Sequence, residues 1–496
     1  MEAVVPAALT SPRLPDLPAF NPDCPGCRAL LTALQAQAAQ IAALTARIEQ
    51  LEARLSQNSA NSSRPPSSDG PAGRQPPASA SPSGRRRGGQ RGHRGANRDL
   101  KPLEKVAQVV EEVPTHCVHC QGPLPAGQSE GDPPPRRHQV TELPPVVCVT
   151  TEYRLHARTC PHCRRRTWAE LPAGVPRGAV GPRLQAVGSL LTGGYGLSRR
   201  CAQELLRDLL GEELSLGTLS SLEAATAAAL SVPCQEVAQA VAQAERVNAD
   251  ETRWFEAHRL AWLWLAATEA LSLFRIDASR SREAFERLLP KRAAGQRRTV
   301  TSDRYSAYCH LVGDEWQLCW SHLEREFTGW AESTAPAAGS GRAALAASRR
   351  LFSRWHQHRA GDFPHAALSS YLQPVKQRLQ AVLQEAAASG HWRVEGPARH
   401  LLKHFESLWT FTRVEGVEPT NNHAERALRR AVLWRKRSFG HQSESGRLFV
   451  ERLLTVAGSL RLQGRNLLAY LEAACRAALT HTYPPSLLPH SAASPP

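Results

Sequence analysis

Two short apolar runs in the middle of the chain each lead into an aspartate, and this pattern constrains the fold most. Asp250 lies in VNADETRWF (residues 247–255), and Asp303 lies in TVTSDRYSAY (residues 299–308). Short apolar runs with this composition are typical of β-strands. A third carboxylate, Glu425, lies in a basic segment with a helical pattern, EPTNNHAERALRRAVLWRKRSFG (residues 418–440). The sequence therefore predicts two strand-borne aspartates and one helix-borne glutamate.

The elements around these carboxylates predict an α/β core with a ribonuclease-H-like sheet. A first strand is expected to end near Asp250, and residues 259–276 have the length and composition of a hairpin. A short helix over 281–289, strands over 299–303 and 315–320, and a helix from Ser321 follow in that order. We therefore expect Asp250 and Asp303 on adjacent central strands, with their carboxylates a few ångströms apart.

Glu425 comes late in the sequence, and we expect a large α-helical insertion to account for the delay. Residues 335–412 are dominated by Ala, Leu, Arg and Gln, as in helices. Thr420, Asn421 or Asn422 can cap the next helix, so that Glu425 falls in its first turn and faces the sheet. Alone, Glu425 would read as a capping-box residue on a solvated helix. Its combination with two aspartates favours a functional site.

Two aspartates and a glutamate can hold two Mg²⁺ ions, or Mn²⁺, which clamp the attacking and leaving oxygens of a phosphodiester displacement. The chain has 496 residues with 61 Lys+Arg against 45 Asp+Glu, a net charge of +16 that favours a polyanionic partner. Together these features indicate an enzyme that cuts and joins DNA. Basic residues of the Glu425 helix are expected to contact phosphates: Arg426, Arg429, Arg430, Arg435 and Lys436.

The N-terminal arm has a heptad pattern without Gly or Pro. Leu34, Ile41, Ile48 and Leu55 recur every seven residues, and Leu30, Leu44 and Leu51 fill the companion positions. This predicts a coiled coil over residues 28–56 and a dimer or larger assembly. The alternative is one amphipathic helix packed on its own domain. Cys24 and Cys27 just before it are either free thiols or ligands of a shared zinc ion.

Residues 57–105 are rich in Ser, Pro, Gly and Arg, and we expect a disordered basic linker. Its Arg85, Arg86 and Arg87 can follow a phosphate backbone without reading sequence. The same composition suits a solvated linker, and both roles can hold together.

Two CxxC pairs predict a structural zinc ribbon over residues 106–175. Cys117 and Cys120 form one pair, and Cys160 and Cys163 form the other. Four thiolates suit tetrahedral Zn²⁺ and leave no open position for catalysis. Residues 136–160 alternate as strands do. The 39 residues between the pairs exceed the usual ribbon spacing, and unligated thiols are the alternative.

Residues 176–243 are expected to be helical, with Ser215 opening the last helix. A helix-turn-helix that reads DNA and a plain helical layer both fit this pattern. The N-terminus lacks the features of a signal peptide, and the apolar stretch 260–274 is too short to span a bilayer, so a cytoplasmic, nucleoid-associated protein without membrane contact is expected.

At these residues the chain resembles the transposases of the insertion sequence 66 family. The resemblance covers nearly the whole chain and includes LSQNSANSSRPPSSD (55–69), GGQRGHRG (88–95), the CxxC pairs, ADETRW, SDRYSAY, CWSHLEREF (319–327) and NNHAERALRRAVLWRKRSFG. It implies a DDE-type transposase that cleaves transposon ends and joins their 3′-hydroxyls to target DNA. It also implies that Asp250, Asp303 and Glu425 bind the metals, with His322 and Asn422 beside them.

The chain departs from the family pattern at two places outside the triad. The family often has Gly where Arg304 follows the second aspartate, and the run Ser321–Glu326 is acidic at a position that is usually basic. Two other functions fit the residues: a metal-dependent nuclease that only cuts, and a domesticated or inactive DNA-binding relative. Accessory transposition proteins are possible partners.

The sequence thus divides into successive units. They are a tail (1–27), the coiled coil (28–56), the linker (57–105), the ribbon (106–175), a helical unit (176–243), the first core part (244–330), the helical insertion (331–414), the second core part (415–482) and a tail (483–496).

Overall fold

The computed structural model describes residues 23–62, 99–127, 131–293 and 295–489, so the predicted DNA contacts Arg85, Arg86 and Arg87 lie outside the described residues. The helices are α1 (Pro25–Leu55), α2 (Pro182–Ser189), α3 (Arg199–Leu210), α4 (Leu216–Ala229), α5 (Ser231–Gln243), α6 (Arg282–Leu288), α7 (Trp320–Ala331), α8 (Ala337–Arg359), α9 (His365–Ala388), α10 (Glu395–Lys403), α11 (Asn422–Ser438), α12 (Glu444–Leu462) and α13 (Leu467–Leu479). The strands are β1 (Ala157–Thr159), β2 (Arg166–Trp168), β3 (Arg246–Glu256), β4 (Arg259–Ala267), β5 (Ser272–Asp277), β6 (Thr299–Ser302) and β7 (Trp316–Leu318). The protein is therefore a mixed α/β chain.

Helix α1 buries none of its side chains. Its heptad leucines are 45% exposed at Leu51 and 86% exposed at Leu55, so no other described residue covers the apolar seam. Among the described residues, α1 is also the one helix long and apolar enough to cross a bilayer. Length and composition are weak evidence that α1 crosses a membrane, because a coiled-coil helix without its partner helix has the same composition.

The expectation of strands across residues 136–160 is wrong, because only β1 and β2 form, as a short antiparallel pair around Cys160 and Cys163. The apolar residues of the segment stay in solvent: Val140 is 80% exposed and Val149 is 90% exposed. An alternating segment becomes a strand only when a second strand satisfies its backbone groups. No such strand pairs with residues 136–156 in the described part of the chain.

The helical unit packs directly on the end of the chain. Helix α2 contacts α13, and α4 contacts both α12 and α13. Thr226 of α4 lies fully buried 3.8 Å from Cys475 of α13. Ser215 caps α4 as expected, since its Oγ accepts from the Thr218 N–H at 3.0 Å. Residues 182–243 thus form a helical layer of the core in this structure.

The central sheet has five strands in the order β5-β4-β3-β6-β7. Strand β4 is antiparallel to both of its neighbours, β3 and β5, whereas β6 is parallel to β3 and β7 is parallel to β6. Helix α12 covers the β5 edge, where side chains of Ser459, Thr455 and Glu451 accept the N–H groups of Ser272, Phe274 and Ile276. These bonds satisfy backbone donors that an open sheet edge would expose.

Strand β3 does not end near Asp250 as predicted but continues for six residues to Glu256. Its second half pairs with β4 up to Glu256 opposite Arg259. Along the strand the side chains alternate: Val247, Ala249 and Glu251 point to one face, and Asn248 and Asp250 point to the other. Asp250 therefore stands in the middle of a long strand rather than at its tip.

The interval between β7 and α11 is mainly helical. Helix α8 packs between α7 and α9, and Gly341 of α8 allows close approach, because a Cβ there would lie 2.2 Å from the Ala331 nitrogen. Helix α10 returns the chain toward the sheet. These helices bring Glu425 back to the strands despite its distance in sequence.

Residues 57–62, which were expected to be part of the disordered linker, form a turn docked on the core. Asn61 is buried, and its Nδ2 donates to Glu332 Oε2 at 2.7 Å and to the Ser56 carbonyl at 3.1 Å. Its carbonyl oxygen approaches Gly329 of α7 so closely that a Cβ there would lie 2.3 Å away. A buried amide bonded to a carboxylate fixes this turn, although its composition is that of a linker.

We expect Gly329→Ala to release this turn. The new methyl group overlaps the Asn61 carbonyl, so the bond to Glu332 is lost, at about 1.5–3 kcal/mol for a bond to a charged group. Hydrogen exchange at residues 58–62 should then be at least about tenfold faster. Gly339→Ala is the matched control, since a Cβ there meets nothing within 4 Å. Equal protection in both variants would contradict the docking.

Candidate active site

Asp250 and Asp303 lie at the same level of neighbouring parallel strands. Asn248 is opposite Thr301 in the register of β3 and β6. Asp250 lies two residues after Asn248 in β3, and Asp303 lies two residues after Thr301, directly after β6. Local bonds orient both carboxylates: Asp250 Oδ1 accepts from the Glu251 N–H and Asp303 Oδ1 from the Tyr305 N–H, each at 2.9 Å. The sheet therefore presents two half-buried carboxylates side by side.

Glu425 reaches the same place because the start of α11 is fastened to β3. Asn421, the residue before the helix, donates from Nδ2 to the Ala249 carbonyl at 2.7 Å and accepts from Asn248 Nδ2 at 3.1 Å. It occupies the predicted N-cap position, but its side chain makes no cap bond to the helix. Its amide instead fixes α11 one residue from Asp250, with Glu425 in the first turn.

Helix α7 supplies two cations to Glu425. His322 Nδ1 lies 3.5 Å from Glu425 Oε1, and Arg325 Nη2 lies 3.5 Å from Oε2. Glu425 therefore does not act as a capping-box residue. Its Oε1 and His322 Nδ1 are buried without a hydrogen-bond partner within the described residues. Buried polar atoms without partners are rare in folded proteins and suit a site that receives a ligand.

The carboxylates raise the pKa of Asp250. Burial is the largest cause, followed by the charges of Glu251, Asp303 and Glu425, while His322 acts in the opposite direction. The pKa of Asp250 therefore lies well above its ordinary range. Burial alone would lower the pKa of His322, but its bond to Cys319 and the charges of Cys319, Asp303 and Glu425 raise it to about 9. Such crowding of negative charge favours a bound cation.

A buried ion pair that the sequence reasoning missed lies behind Asp250. Glu251 is almost fully buried and pairs with Arg280 at 2.5 Å, and the Tyr308 hydroxyl donates to its other oxygen. Burial and the charge of Asp303 raise the pKa of Glu251 to about 7. Arg280 lies 3.4 Å from the ring centre of Tyr305. The one signal in the sequence is that Glu251 directly follows Asp250.

A second ion pair involves Arg304, at one of the two departures from the family pattern. Arg304, directly after Asp303, donates from Nη2 to both oxygens of Glu326 on α7, at 2.8 and 2.9 Å. It also donates from Nη1 to the Pro397 carbonyl at 3.1 Å. This pair joins the loop after the second aspartate to the helix that carries His322 and Arg325.

The predicted DNA contacts divide into two groups. Arg426, Arg429, Arg430 and Lys436 are exposed on α11. Arg435 is half-buried and donates to Thr252 Oγ1 at 2.9 Å and to the Arg253 carbonyl. Burial and the charge of Arg253 lower the pKa of Arg435. Its guanidinium holds α11 against β3, and the expected phosphate contact of Arg435 stays a prediction.

Asn422 lies beside the site, but its contact is with another helix. Its Oδ1 accepts from the Ser321 hydroxyl at 3.1 Å, which joins the starts of α11 and α7. Because His322 follows Ser321, this bond helps set the position of the histidine relative to Glu425.

The two CxxC pairs form separate knuckles. The Gln121 N–H donates to the Cys117 carbonyl and the Arg164 N–H to the Cys160 carbonyl, each at 2.9 Å. Backbone N–H groups within each knuckle lower the pKa of Cys117 and Cys160. In the described part of the chain, no three of the four sulfur atoms come within 4.8 Å of one another. The zinc ribbon therefore stays a prediction.

The described residues contain two groups of three or more possible ligands whose ligand atoms all lie within 4.8 Å of one another. One consists of Cys319, His322 and Glu425, at the site just described. The other consists of Cys309, His400 and His404, outside it. Asp250 and Asp303 belong to neither group, and ligands of two different ions need not be mutual neighbours.

Two family models match parts of this chain. The model of the transposase IS66 family matches residues 180–447, a range that contains all three carboxylates. A family of unknown function (DUF6444) matches residues 19–99. No curated protein matches the chain. Since the first match covers more than half of the chain, this protein belongs to the transposase IS66 family.

Proposed function

We propose that this chain is a DDE-type transposase that binds transposon ends, cleaves them and joins the freed 3′-hydroxyls to target DNA. The observation that carries the proposal is the convergence of Asp250, Asp303 and Glu425 at one place on the sheet. The strand order supports a ribonuclease-H-like core: counted from β3, it reads 3-2-1-4-5, with only the second strand antiparallel to the first. The family match supports action on DNA.

The triad fits divalent metal ions. Asp250 is crowded by negative charge, and Glu425 Oε1 is buried without a hydrogen-bond partner among the described residues. Asp250 would hold both ions, with Asp303 and Glu425 holding one each. When bound, two Mg²⁺ or Mn²⁺ ions supply charge stabilisation for the attacking and leaving oxygens of the phosphodiester.

The surrounding residues hold the carboxylates and the DNA. His322 and Arg325 fix both oxygens of Glu425, and Asn422 sets their helix through Ser321. Arg426, Arg429, Arg430 and Lys436 are exposed on the same helix and would contact phosphates. In such a reaction the protein mainly positions its substrates, which accounts for the many bonds that fasten α11 to β3 and α7.

The test uses purified full-length protein, DNA that carries the repeats flanking the gene, and a supercoiled target plasmid. We expect end cleavage and joined products in Mg²⁺, neither in EDTA, and neither with Glu425→Gln. Glu385→Gln on the exposed face of α9 is the matched control and should retain both. Cleavage without joined products would indicate a nuclease that only cuts. End binding without products, unchanged in Glu425→Gln, would indicate a DNA-binding relative or a missing accessory protein.

We also propose that α1 forms a coiled coil that pairs two chains, as synapsis of two ends requires. Leu44→Lys should convert the dimer to a monomer. Each buried leucine contributes about 1.5–3 kcal/mol and a dimer has two, so the dissociation constant should rise about 10²–10⁴-fold. Light scattering after size exclusion measures the mass. Ala46→Lys, on the outer face of the heptad, is the control, and a monomeric wild type would overturn the proposal.

A further inference from the structure

The geometry points to a second metal site outside the catalytic centre, a zinc site formed by Cys309, His400 and His404. Their ligand atoms all lie within 4.8 Å of one another. They come from two parts of the chain. Cys309 ends the short 3₁₀ turn after Asp303, His400 lies in the last turn of α10, and His404 follows that helix directly. Thiolate and imidazole are the ligands that zinc prefers in proteins.

The distances agree with tetrahedral zinc. Cys309 Sγ lies 3.7 Å from His400 Nε2. Bonds of about 2.3 Å to sulfur and about 2.0 Å to nitrogen, at a tetrahedral angle, place two ligands about 3.5 Å apart. Cys309 and His400 thus already have the separation that a common ion requires, and no backbone movement is needed to bring them together.

Hydrogen bonding leaves each histidine with one ring nitrogen that has no partner among the described residues, since His400 contacts Cys309 Sγ only through Nε2. His404 is 8% exposed, and its Nε2 is buried without a partner in the described structure. His400 Nδ1 has no partner there either. A buried polar atom without a partner costs about 1–3 kcal/mol, so two in one cluster are unusual. The Trp316 ring of β7 packs edge-on at 5.1 Å against His404 and keeps that side apolar.

The protonation states suit a metal. Burial and nearby cations lower the pKa of His400 to about 4 and lower that of His404, so both imidazoles are neutral at neutral pH. Neutral imidazole is the form that binds a metal. Burial raises the pKa of Cys309, so its thiol proton must leave for solvent as the Zn–S bond forms.

The charged groups around the cluster are compatible with binding of zinc and loss of the Cys309 proton. Arg304 and Lys403 are the cations that act on it, and Arg304 is neutralised by its two bonds to Glu326. A zinc ion with one thiolate and two neutral imidazoles adds a single positive charge. Three protein ligands leave the fourth position to water. The ion would fasten α10 to the loop after Asp303 and so position the second catalytic carboxylate from behind.

The experiment must separate this site from the CxxC pairs and from the triad. It uses the full chain with serine at Cys24, Cys27, Cys117, Cys120, Cys160 and Cys163, none of which is buried. Cobalt replaces zinc as the probe, because a thiolate ligand gives a charge-transfer band in the near ultraviolet. We expect one equivalent of cobalt with this band, and its loss in Cys309→Ser with the near-ultraviolet circular dichroism retained.

Cys319→Ser is the discriminating control, because Cys319 belongs to the ligand group at the catalytic site. The band should survive this change. Its loss in Cys319→Ser but not in Cys309→Ser would overturn the proposal by assigning the cobalt to the triad. Absence of a thiolate band from the six-serine protein would overturn it as well. If Cys309→Ser fails to fold, His404→Gln supplies the second test, with the same loss of one equivalent expected.

Discussion

Asp250→Asn should abolish strand cleavage and at the same time make the metal-free protein more stable. The pKa of Asp250 is raised by burial and by the neighbouring carboxylates, so its charge is unfavourable in the folded state without metal. Asparagine has nearly the same shape and no charge. We expect the free energy of unfolding at pH 7 in EDTA to rise, because the variant no longer buries an uncompensated charge.

The sign of the pH dependence follows from linkage. A carboxyl whose folded pKa lies above its unfolded value of about 3.9 binds more protons in the folded state. Its contribution to stability is present at low pH and is lost as pH rises toward the folded pKa. The wild type should therefore lose stability relative to Asp250→Asn as pH rises above about 4. Urea unfolding in EDTA at several pH values measures the difference.

Activity should fall about 10³-fold or more in the same variant, because losing several kcal/mol of transition-state stabilisation costs a factor of ten per 1.4 kcal/mol. Asp362→Asn, at an exposed position after α8, should change neither property. A less stable Asp250→Asn protein in EDTA would show that the carboxylate is structural. Retained cleavage would remove Asp250 from the catalytic site.

Arg280→Ala should give the largest loss of stability. It leaves Glu251 buried beside Asp250 and Asp303 with only the Tyr308 hydroxyl as partner. Removing one member of a buried ion pair costs about 3–5 kcal/mol, because the remaining charge stays uncompensated. The matched control is Arg282→Ala, whose exposed ion pair with Glu286 one turn away is worth less than about 1 kcal/mol.

The loss in Arg280→Ala should depend on pH. The pKa of Glu251 is raised to about 7 even with the arginine present, and removing the cation raises it further. A group with a raised folded pKa loses its contribution as pH increases, so the variant should be less impaired at pH 5 than at pH 8. Adding Glu251→Gln to Arg280→Ala should recover part of the stability. A loss independent of pH and unchanged in the double variant would contradict this account.

The sequence predicted the elements of the core because their signals are local. Apolar runs before Asp250 and Asp303 and the basic helix at Glu425 lie in contiguous residues, and the structure forms all three. The end of β3 was predicted wrongly, since the pairing of its second half with β4 depends on a neighbour that follows the turn at Ala257 and His258.

What the sequence missed are contacts between distant residues. Nothing near Glu251 indicates Arg280, and Cys309 and His400 are 91 positions apart. Arg435 and Arg429 lie in the same basic helical sequence and look alike from it. Only the structure shows that the guanidinium of Arg435 donates to Thr252. The docking of Asn61 on Gly329 likewise depends on a space that becomes visible only once α7 is folded.

The Arg304–Glu326 pair has a consequence for which mutations this chain can accept. Glycine at position 304 alone would leave Glu326 without its cation, in surroundings whose burial already raises the pKa of that carboxyl. A basic residue at position 326 alone would face Arg304 across the same short distance. The two positions are therefore expected to tolerate a change of charge only when both change together.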